Sequence, residues 1–495
     1  MSFRTARVVL LAVAAIGFAG CASAPRQGGM KDSQFVEPAF DRGFKAQRVA
    51  TKGAHLGFIV ARSAYENPVN RPVSNLTAIA SYAAKSTHGM LRRVAIGGIQ
   101  MPVLGGDIPD VGNAAPMDLA DFERTLDKLT GTRSDIGQIR FLVDGDEYFC
   151  RLTNAIRNAQ ESIDIRTYIF DNDDYAVQLA DELKARSADV RVRVMIDELG
   201  NMIAMQSDPD SMPIEHRVPL SMRAYLERDS SVDVRNVSNY WLTMSDHTKT
   251  TIVDRKTAFV GGMNIGREYR YNWHDLMMEV SGPVVDTLQY ESNKAWARSG
   301  MLGDFANFFA FLKGKKQHAE KDGYPVRVLQ TRNFDSDIHK AQIAAIRNAQ
   351  SYILIENAYF SDDETVYELA RARRRGVDVR VIIPSSGNHG SLNASNKVTI
   401  NDLLDHGVRV YEYPGMSHVK AAIFDGWASV GSANFDKLSL QVNKELNLAT
   451  SDADTVKALL EQVFIPDMMM STEITERVEV TVATRLTEIA VDELL

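Results

Sequence analysis

One hydrophobic pattern occurs twice in this sequence. Apolar side chains at helical spacing, such as Leu152 and Ile156, run through the hexamer AIRNAQ at 155–160, and the same six letters return in the same kind of setting at 345–350. A shared hexamer alone can arise by chance, but here the sequences on both sides of it match in pattern as well. The chain is therefore predicted to contain an internal duplication.

The pattern after each hexamer alternates between strand and helix. Each copy continues with a β-rich run, a helical stretch and a second β-rich run; the β-rich runs are 162–170 and 190–196 in the first copy, and 351–360 and 377–383 in the second. Strand, helix and strand at this spacing predict a βαβ unit with parallel strands. We expect a duplicated α/β domain with a pseudo-twofold axis, and a site between the copies that draws matching residues from both.

The amino terminus has a different pattern. A basic segment at 1–7 precedes an apolar run at 8–18, which is too short to span a bilayer. This layout predicts a secretory signal peptide over 1–20. The residues that end in Cys21 resemble a bacterial lipobox, in which the cysteine becomes the lipidated first residue of the mature protein. The alternative is cleavage after the A-x-A that follows Cys21, which would release a soluble protein.

The residues around the cysteine also bear on location. Phe18 stands where a lipobox usually has Leu, and Ala22 rather than Asp follows the cysteine. Ala22 favours an outer-membrane lipoprotein facing the periplasm. With Cys21 lipidated, Cys150 would be the one remaining cysteine, and we expect it to be a small core residue. No later apolar run approaches about 20 residues, so no transmembrane helix is predicted in the mature chain.

Charge divides the chain into a basic arm and an acidic body. The net charge is -8, which argues against a general nucleic-acid binder, yet residues 22–100 hold eleven Lys and Arg against four Asp and Glu. We predict a basic, largely irregular arm over 21–130, with a short helix over 118–129. The arm either favours anionic phospholipid or is a solvated linker without specific contacts.

Both copies carry the same polar constellation, H-x-K-x4-D followed by G-x-x-N. The first copy supplies His247, Lys249, Asp254 and Asn264, and the second supplies His418, Lys420, Asp425 and Asn434. Residues two apart on a strand share a face, so each His is expected to project with its Lys. The Asp-Gly pair at 425–426 predicts a hairpin turn.

Two His and two Lys at one point favour phosphate chemistry. The ammonium groups neutralise phosphoryl oxygens, one neutral imidazole attacks phosphorus, and the other donates a proton to the leaving alkoxide. An ordinary His pKa of about 6.5 allows both roles near neutral pH. We expect no metal and no other cofactor, because the Lys and Asn side chains supply the stabilisation.

These paired motifs resemble the phospholipase D superfamily and, within it, the bacterial cardiolipin synthases. Further similar stretches are 273–275, 279–283, 356–360, 407–414 and 443–447. The resemblance covers about 135–470. It implies two tandem domains, at 131–315 and 316–495, each a mixed sheet flanked by helices, with one active site at their pseudo-twofold interface.

The resemblance also implies roles for individual residues. An acidic residue beyond each Asn orients a catalytic His, and that role falls on Asp275 and Glu445, which lie 28 and 27 residues after the motif His of their own copies. Asn264 and Asn434 bind the phosphoryl group, while Asp254 and Asp425 support the local structure. His247 is the nucleophile and His418 the acid in the usual family order; the reverse assignment stays open. The sequence departs from the family pattern at Gly262, because the equivalent position of the second copy is Ser432.

The function implied is transfer of phosphatidyl groups between membrane phospholipids, with phosphatidylglycerol or phosphatidylethanolamine as substrate, through a phosphohistidine. The alternative is a phospholipase D that uses water as the acceptor. A nuclease-type phosphodiesterase is disfavoured by the acidic body and the predicted anchor, so no nucleic-acid partner is expected. A non-catalytic envelope lipoprotein is disfavoured because both catalytic sets are intact. The duplication within one chain predicts that no partner subunit completes the site.

Overall fold

The computed structural model describes most of the chain beyond residue 103. The described residues are 104–204, 208–209, 211–214, 216–237, 244–312, 322–332, 335–388, 390–485 and 487, together with 35–36 and scattered positions between 54 and 80. The predicted signal peptide, the predicted lipidation site Cys21 and most of the predicted basic arm lie outside them.

Strands and helices alternate along the described chain. The strands are β1 (Phe35–Val36), β2 (Asp135–Val143), β3 (Ser162–Thr167), β4 (Arg191–Asp197), β5 (Met212–Pro213), β6 (Asp233–Val237), β7 (Thr250–Val253), β8 (Thr257–Gly261), β9 (Leu276–Ser281), β10 (Tyr324–Arg332), β11 (Asp335–Ser336), β12 (Tyr352–Asn357), β13 (Asp378–Pro384), β14 (Arg409–Tyr413), β15 (Lys420–Phe424), β16 (Trp427–Gly431), β17 (Glu445–Thr450) and β18 (Thr472–Ile474). The helices are α1 (Leu119–Thr130), α2 (Asp144–Asn158), α3 (Asp174–Arg186), α4 (Glu198–Ala204), α5 (Met222–Glu227), α6 (Arg267–Tyr271), α7 (Val284–Arg298), α8 (Gly303–Leu312), α9 (Asp337–Asn348), α10 (Asp363–Arg374), α11 (Gly390–Asp405), α12 (Ala453–Leu459) and α13 (Ile465–Met470). Short π-helical turns lie at Leu438–Val442 and Leu460–Phe464.

One large sheet contains most of the described strands, in the order β18-β14-β13-β12-β15-β16-β17-β10-β2-β9-β8-β7-β3-β4-β6. From the central antiparallel pair β2–β10, the order outwards is equivalent in both directions: β9, β8, β7, β3, β4, β6 on one side and β17, β16, β15, β12, β13, β14 on the other. Two copies of one domain therefore meet edge to edge, and the predicted duplication is confirmed.

Each copy is a mixed sheet. The strands β3, β4 and β6 run parallel, as do β12, β13 and β14, whereas the β2-β9-β8-β7-β3 and β10-β17-β16-β15-β12 neighbours are antiparallel. Helix α3 connects β3 to β4, and α10 connects β12 to β13, so both predicted βαβ units are present. The predicted α/β fold, in which two tandem domains each form a mixed sheet flanked by helices, is confirmed.

Apolar side chains fill three layers. One lies between the first copy's sheet and its outer helices, a second lies in the equivalent place of the second copy, and the third lies between the copies. Successive strand residues point to opposite faces, so Val253 of β7 enters the first copy's outer layer while Ile252 enters the shared middle layer. Ile423 of β15 enters the same middle layer, so the two copies share one continuous core.

Helix α1 precedes the first copy in sequence but packs on the second. Asp118 caps its amino end by accepting a hydrogen bond from Asp121 N, and Gly131, in a left-handed conformation, ends it. Phe122 lies in the second copy's outer layer, edge-on to Trp427 with ring centroids 5.4 Å apart. The predicted helix at 118–129 is thus confirmed, and it ties the start of the chain to the more distant copy.

A buried arginine fixes α1 to the central strands. Arg327 of β10 is 1% exposed, and its guanidinium lies 2.7 Å from both Glu123 and Asp127 of α1. Within the predicted arm, 21–130, the described residues are irregular over 104–118, but most of those between 65 and 80 are helical, as is α1 at the end of the arm. The predicted domain limits, 131–315 and 316–495, stay predictions.

The structure bears on two further expectations, the burial of Cys150 and the absence of a transmembrane helix. Cys150 is exposed on α2, because Tyr148, Phe149 and Leu152 occupy the side of the helix that faces the core, so its prediction as a core residue is wrong. Among the described residues, no helix combines the length and the apolar character needed to cross a bilayer.

Two of the predicted site residues hold turns. Asp254 follows β7 and Asp425 follows β15, both with positive φ. Asp254 accepts backbone hydrogen bonds from Gln160, Glu161 and Ser162, and Asp425 accepts them from Met117, Gln350, Ser351 and Tyr352. Each carboxylate thereby fastens the turn after a motif strand to the end of the repeated hexamer. Asp425-Gly426 forms the predicted hairpin between β15 and β16.

Replacing Asp425 by Ala should destabilise the protein more than replacing Asp254 by Ala. Asp425 is buried and holds one more donor, and each lost charged hydrogen bond with a buried partner costs about 1–3 kcal/mol. Thermal unfolding of the two variants beside wild type measures this, with Asp425→Asn as the control that keeps one acceptor oxygen and the tolerance of positive φ. Equal melting temperatures for all variants would contradict the turn-holding role.

Candidate active site

The backbone of each motif histidine is bound by the other copy. His247 N donates to Lys444 O at 2.9 Å, and His418 N donates to His274 O at 2.7 Å. Because β7 and β15 begin only after these histidines, the histidines do not lie on the strands themselves. The expectation that a strand alone projects each His with its Lys is corrected: the chain leaves its own sheet before the motif and pairs across the interface.

The carboxylates that hold the imidazoles also cross between copies. His247 Nδ1 lies 3.0 Å from Glu445 Oε1, and His418 Nδ1 lies 2.7 Å from Asp275 Oδ2. Both carboxylates are fully buried. The two acidic residues are those selected by spacing from the His of their own copy, but each contacts the His of the other copy. Neither imidazole would be oriented in an isolated half.

The two lysines repeat one geometry. Lys249 Nζ donates to His247 O at 2.7 Å, and Lys420 Nζ donates to His418 O at 2.6 Å. Both side chains are buried, and both ammonium charges act on His247. The structure therefore brings the two H-x-K motifs into one electrostatic site.

Burial dominates the protonation of this site. Burial, followed by the charges of Lys249 and Lys420, holds the pKa of His247 well below its ordinary value. Burial also lowers the pKa of Lys249, and it lowers that of Lys420 to about 8 against the opposing charge of Asp275. The same burial raises the pKa of Asp275 to about 7 and that of Glu445 to about 8. His247 is consequently neutral at physiological pH.

The departure at Gly262 has a steric cause. A Cβ at this position would overlap Asp275 Oδ1, so the carboxylate that holds His418 occupies the space of a side chain. In the second copy the equivalent Ser432 Oγ donates to Glu445 Oε2 at 2.5 Å. The shorter acid is thus matched with glycine, and the longer acid with a serine hydroxyl.

The two predicted phosphoryl-binding asparagines differ in their contacts. Asn264 is engaged in the first copy: its Oδ1 accepts from Ile169 N at 3.1 Å and its Nδ2 donates to Tyr269 Oη at 2.8 Å. Asn434 is equally buried, but its Oδ1 has no hydrogen-bond partner among the described residues. The two asparagines are therefore held differently: both amide atoms of Asn264 are engaged, whereas the oxygen of Asn434 accepts no hydrogen bond from the described residues.

The predicted site residues therefore fall into three groups. His247, Lys249, His418, Lys420, Asp275 and Glu445 lie together between the copies. Asn264 and Asn434 occupy equivalent buried positions in the two copies. Asp254 and Asp425 lie at the turns and bind backbone N–H groups there.

A cationic pocket borders the site beside His247. Its lining is Arg166, Lys294, Arg298, Arg332 and Lys444, with Glu291, Ala295, Gln330, Thr331 and Glu445. Arg166 Nη2 lies 2.8 Å from Asp246, the residue before His247, and Lys444 Nζ lies 3.8 Å from the same carboxylate. We call this the cationic pocket. The buried Arg166–Asp246 ion pair joins it to the first copy's motif.

The equivalent place in the second copy has the opposite charge. When the two copies are aligned on the repeat, Glu356 is equivalent to Arg166, Ser417 to Asp246, and His274 to Lys444. Glu356 Oε1 accepts from Ser417 Oγ at 2.5 Å, and Glu356 is fully buried. One flank of the site is therefore cationic, while its symmetry-related flank is an acidic cluster.

This acidic cluster surrounds His274. The imidazole lies 2.7 Å from Asp144 and 3.0 Å from Asp467, and it stacks on Tyr413. Burial lowers the pKa of His274, but the two carboxylates outweigh it and raise the pKa to about 11. Burial, then the charge of Asp467, raises the pKa of Glu356. His274, Glu356 and Asp467 have the spacing of metal ligands.

The sequence analysis gave these flanking residues no role, although His274, Glu356 and Lys444 lie in the similar stretches 273–275, 356–360 and 443–447. Asp246, Lys444, Ser417 and His274 each stand immediately before a motif residue, and that position is the signal they carry. Their partners Arg166 and Asp467 are remote in the chain, so no spacing pattern connects them.

Comparison with known proteins gives one consistent family. A family model for "Cardiolipin synthase, PLD-like domain" matches residues 152–296 and 342–467. Cardiolipin synthase A of Pseudomonas fluorescens is 30% identical over 358 residues, which cover 68% of this chain and 70% of the relative. The probable cardiolipin synthase YwiE of Bacillus subtilis is 30% identical over 348 residues, or 67% and 66% of the two chains.

A solved structure shares the fold. The phosphatidylserine synthase of Haemophilus influenzae superposes with a TM-score of 0.58 over 76% of this chain and 100% of that one, at 15% sequence identity. At this identity the likeness supports the fold alone.

Asp275→Asn should disturb His418 rather than the His of its own copy. Without the Asp275 carboxylate, the His418 imidazole can adopt the tautomer that is unsuited to proton transfer. We therefore expect a fall in kcat of roughly a thousandfold or more. Nitrogen NMR of labelled histidines should show the His418 signals shifted and those of His247 unchanged, with the reverse in Glu445→Gln. Movement of the His247 signals in Asp275→Asn would contradict the crossed pairing.

Lys420→Arg should move the alkaline limit of activity to higher pH. Lys420 loses its charge as the pH rises through about 8, whereas Arg stays protonated. The pH dependence of kcat/KM measures this, because it reports groups of the free enzyme. The control is Lys457→Arg, on the exposed surface of α12. An alkaline limb that stays in place in Lys420→Arg would show that another group sets it.

Proposed function

The chain belongs to the cardiolipin synthase family of phospholipase D-like enzymes, and from that premise we propose that it transfers phosphatidyl groups between membrane phospholipids through a phosphohistidine on His247. The single observation that carries the proposal is the crossed pairing of His247 with Glu445 and of His418 with Asp275. It equips one site with two oriented imidazoles, as a two-step transfer requires.

In the first step His247 attacks the donor phospholipid. Its Nδ1 is held by Glu445, so Nε2 is the attacking atom, and its lowered pKa keeps the ring neutral. A bond forms between Nε2 and phosphorus while the bond from phosphorus to the headgroup oxygen breaks. His418, held by Asp275, gives its proton to that oxygen, and the headgroup alcohol leaves.

In the second step the acceptor alcohol reverses these movements. His418 takes the proton of the acceptor hydroxyl, the oxygen attacks phosphorus, and the bond to His247 breaks. The products are the new phosphatidyl ester and the two histidines in their original states. With a second phosphatidylglycerol as the acceptor the product is cardiolipin, and with water it is phosphatidic acid.

Lys249 and Lys420 stabilise the charge on the phosphoryl oxygens. Burial lowers the pKa of both lysines, and an anionic phosphate would offset the cost of burying their two ammonium groups. Asn434 is the asparagine that we assign to the substrate: its Nδ2 would donate to a phosphoryl oxygen, whereas both amide atoms of Asn264 are already engaged. These groups act on the pentacoordinate transition state, where the negative charge is greatest.

Phosphatidylglycerol or phosphatidylethanolamine is the proposed donor, and a phospholipid alcohol the proposed acceptor. The cationic pocket beside His247 supports an anionic phospholipid as one of the two substrates. The site uses residues of one chain, so we propose that no partner subunit completes it. We also propose a lipid anchor on Cys21 and a place in the outer membrane facing the periplasm, on the sequence around Cys21.

Lipid product analysis tests the proposed function. Purified full-length enzyme, with phosphatidylglycerol and phosphatidylethanolamine in mixed micelles, should form cardiolipin detected by mass spectrometry. His247→Ala should abolish it, and His216→Ala, which removes a partly exposed histidine bound to Asp181, should not. Phosphatidic acid as the one product would replace the synthase by a hydrolase, and no turnover by folded enzyme would overturn both.

A further inference from the structure

Helix α8 is apolar and unusually exposed. Its sequence GDFANFFAFL buries the initial Gly303 alone, and the large apolar side chains of 301–312 are all between 47% and 83% exposed. They are Met301, Leu302, Phe305, Phe308, Phe309, Phe311 and Leu312. A contiguous group of this kind on a folded protein indicates an interaction surface.

A second helical segment presents an apolar stripe. The described residues between 65 and 80 are mostly helical, and their exposed apolar side chains recur every three or four residues. They are Tyr65, Val69, Val73, Leu76 and Ile79. This spacing places them along one side of the helical segment, and that side faces solvent rather than the core.

Specific polar contacts join the two helical segments. Asp304 of α8 accepts hydrogen bonds from Val73 N at 2.9 Å and Ser74 N at 3.0 Å, and Leu302 N donates to Asn70 Oδ1 at 3.4 Å. Together the segments hold twelve of the 22 large apolar side chains that are exposed in the described chain. We call the surface formed by 65–79 and 301–312 the apolar face.

The apolar face adjoins the active site through α7. This helix carries Lys294 and Arg298 of the cationic pocket, and α8 follows it directly. Asn307 of α8 lies within hydrogen-bond distance of Lys294 O and the Arg298 guanidinium. The pocket in turn includes Glu445, which holds His247. Whatever binds the apolar face therefore lies next to the cationic pocket.

We propose that the apolar face inserts into the surface of an anionic phospholipid bilayer and delivers the active site to its substrate. Phenylalanine and leucine side chains beside Lys and Arg are the composition of helices that lie in a membrane interface. The cationic pocket borders the face, and the sequence places Lys313, Lys315 and Lys316 directly after α8. Anionic headgroups complement these charges.

A second copy of the chain fits this surface less well. A symmetric pair would cover the apolar side chains, but a bilayer also supplies anionic phosphates to the cationic pocket at the border of the face. The inference rests on the proposed function for the identity of the substrate, but binding of the face to lipid is measurable without any turnover.

Depth-dependent quenching tests the insertion. An environment-sensitive fluorophore is attached at Phe308→Cys in a full-length background with Cys21→Ser and Cys150→Ser, which leaves one thiol and no lipid anchor, and the protein is added to vesicles of phosphatidylglycerol and phosphatidylcholine with brominated chains. We expect a blue shift and strong quenching at 308, and neither at the control position Lys457→Cys. Equal, weak quenching at both positions would overturn the proposal, as would a lipid-free dimer that protects position 308.

Activity on two physical forms of substrate separates docking from chemistry. Phe305→Ser combined with Phe309→Ser should lower turnover of phosphatidylglycerol in vesicles at least tenfold, and leave turnover of monomeric short-chain phosphatidylglycerol unchanged. Leu129→Ser, an exposed apolar residue of α1, is the matched control and should affect neither. Equal loss on both substrate forms would contradict docking, whereas a wild type inactive on both would refute the proposed function and leave the quenching result valid.

Discussion

Each imidazole of the site is held by a buried carboxylate from the other copy, and the rest of the structure depends on this exchange. The His247–Glu445 and His418–Asp275 pairs place four ionisable groups, with two lysines beside them, where burial opposes charge. Such groups persist in a folded protein when each has a partner. The continuous sheet through β2 and β10 and the shared apolar layer fix the copies closely enough to supply those partners.

The duplication has kept the chemistry symmetric and made its surroundings asymmetric. Lysine contacts, backbone bonds to the histidines and turn-holding aspartates occur in both copies with nearly equal distances. The surrounding residues differ. Gly262 of the first copy is equivalent in position to Ser432 of the second, and the Arg166–Asp246 ion pair is equivalent to the Glu356–Ser417 hydrogen bond. A transfer reaction needs a donor side and an acceptor side. The two flanks of the site are related by the repeat, but their opposite charges make them chemically distinct.

The features that could be predicted from the sequence are those that the repeat and the local periodicity determine. The βαβ units, the hairpin at Asp425 and the paired motifs follow from patterns within short windows. The exchange of Asp275 and Glu445 between copies could not be predicted, because equal spacing fits either pairing. Exposure of Cys150 depended on which side of α2 meets the core, and the exposed face of α8 depended on tertiary packing; periodicity alone gives neither.

We propose that the two copies build one site with one nucleophile. Acid-quenched single-turnover samples of wild type with phosphatidylglycerol, digested and analysed by mass spectrometry, test it most directly. We expect at most one phosphatidyl group per chain, on His247 and on no other histidine. A modification shared equally by His247 and His418, or two groups per chain, would mean that each copy works alone and would contradict the crossed, single-site arrangement.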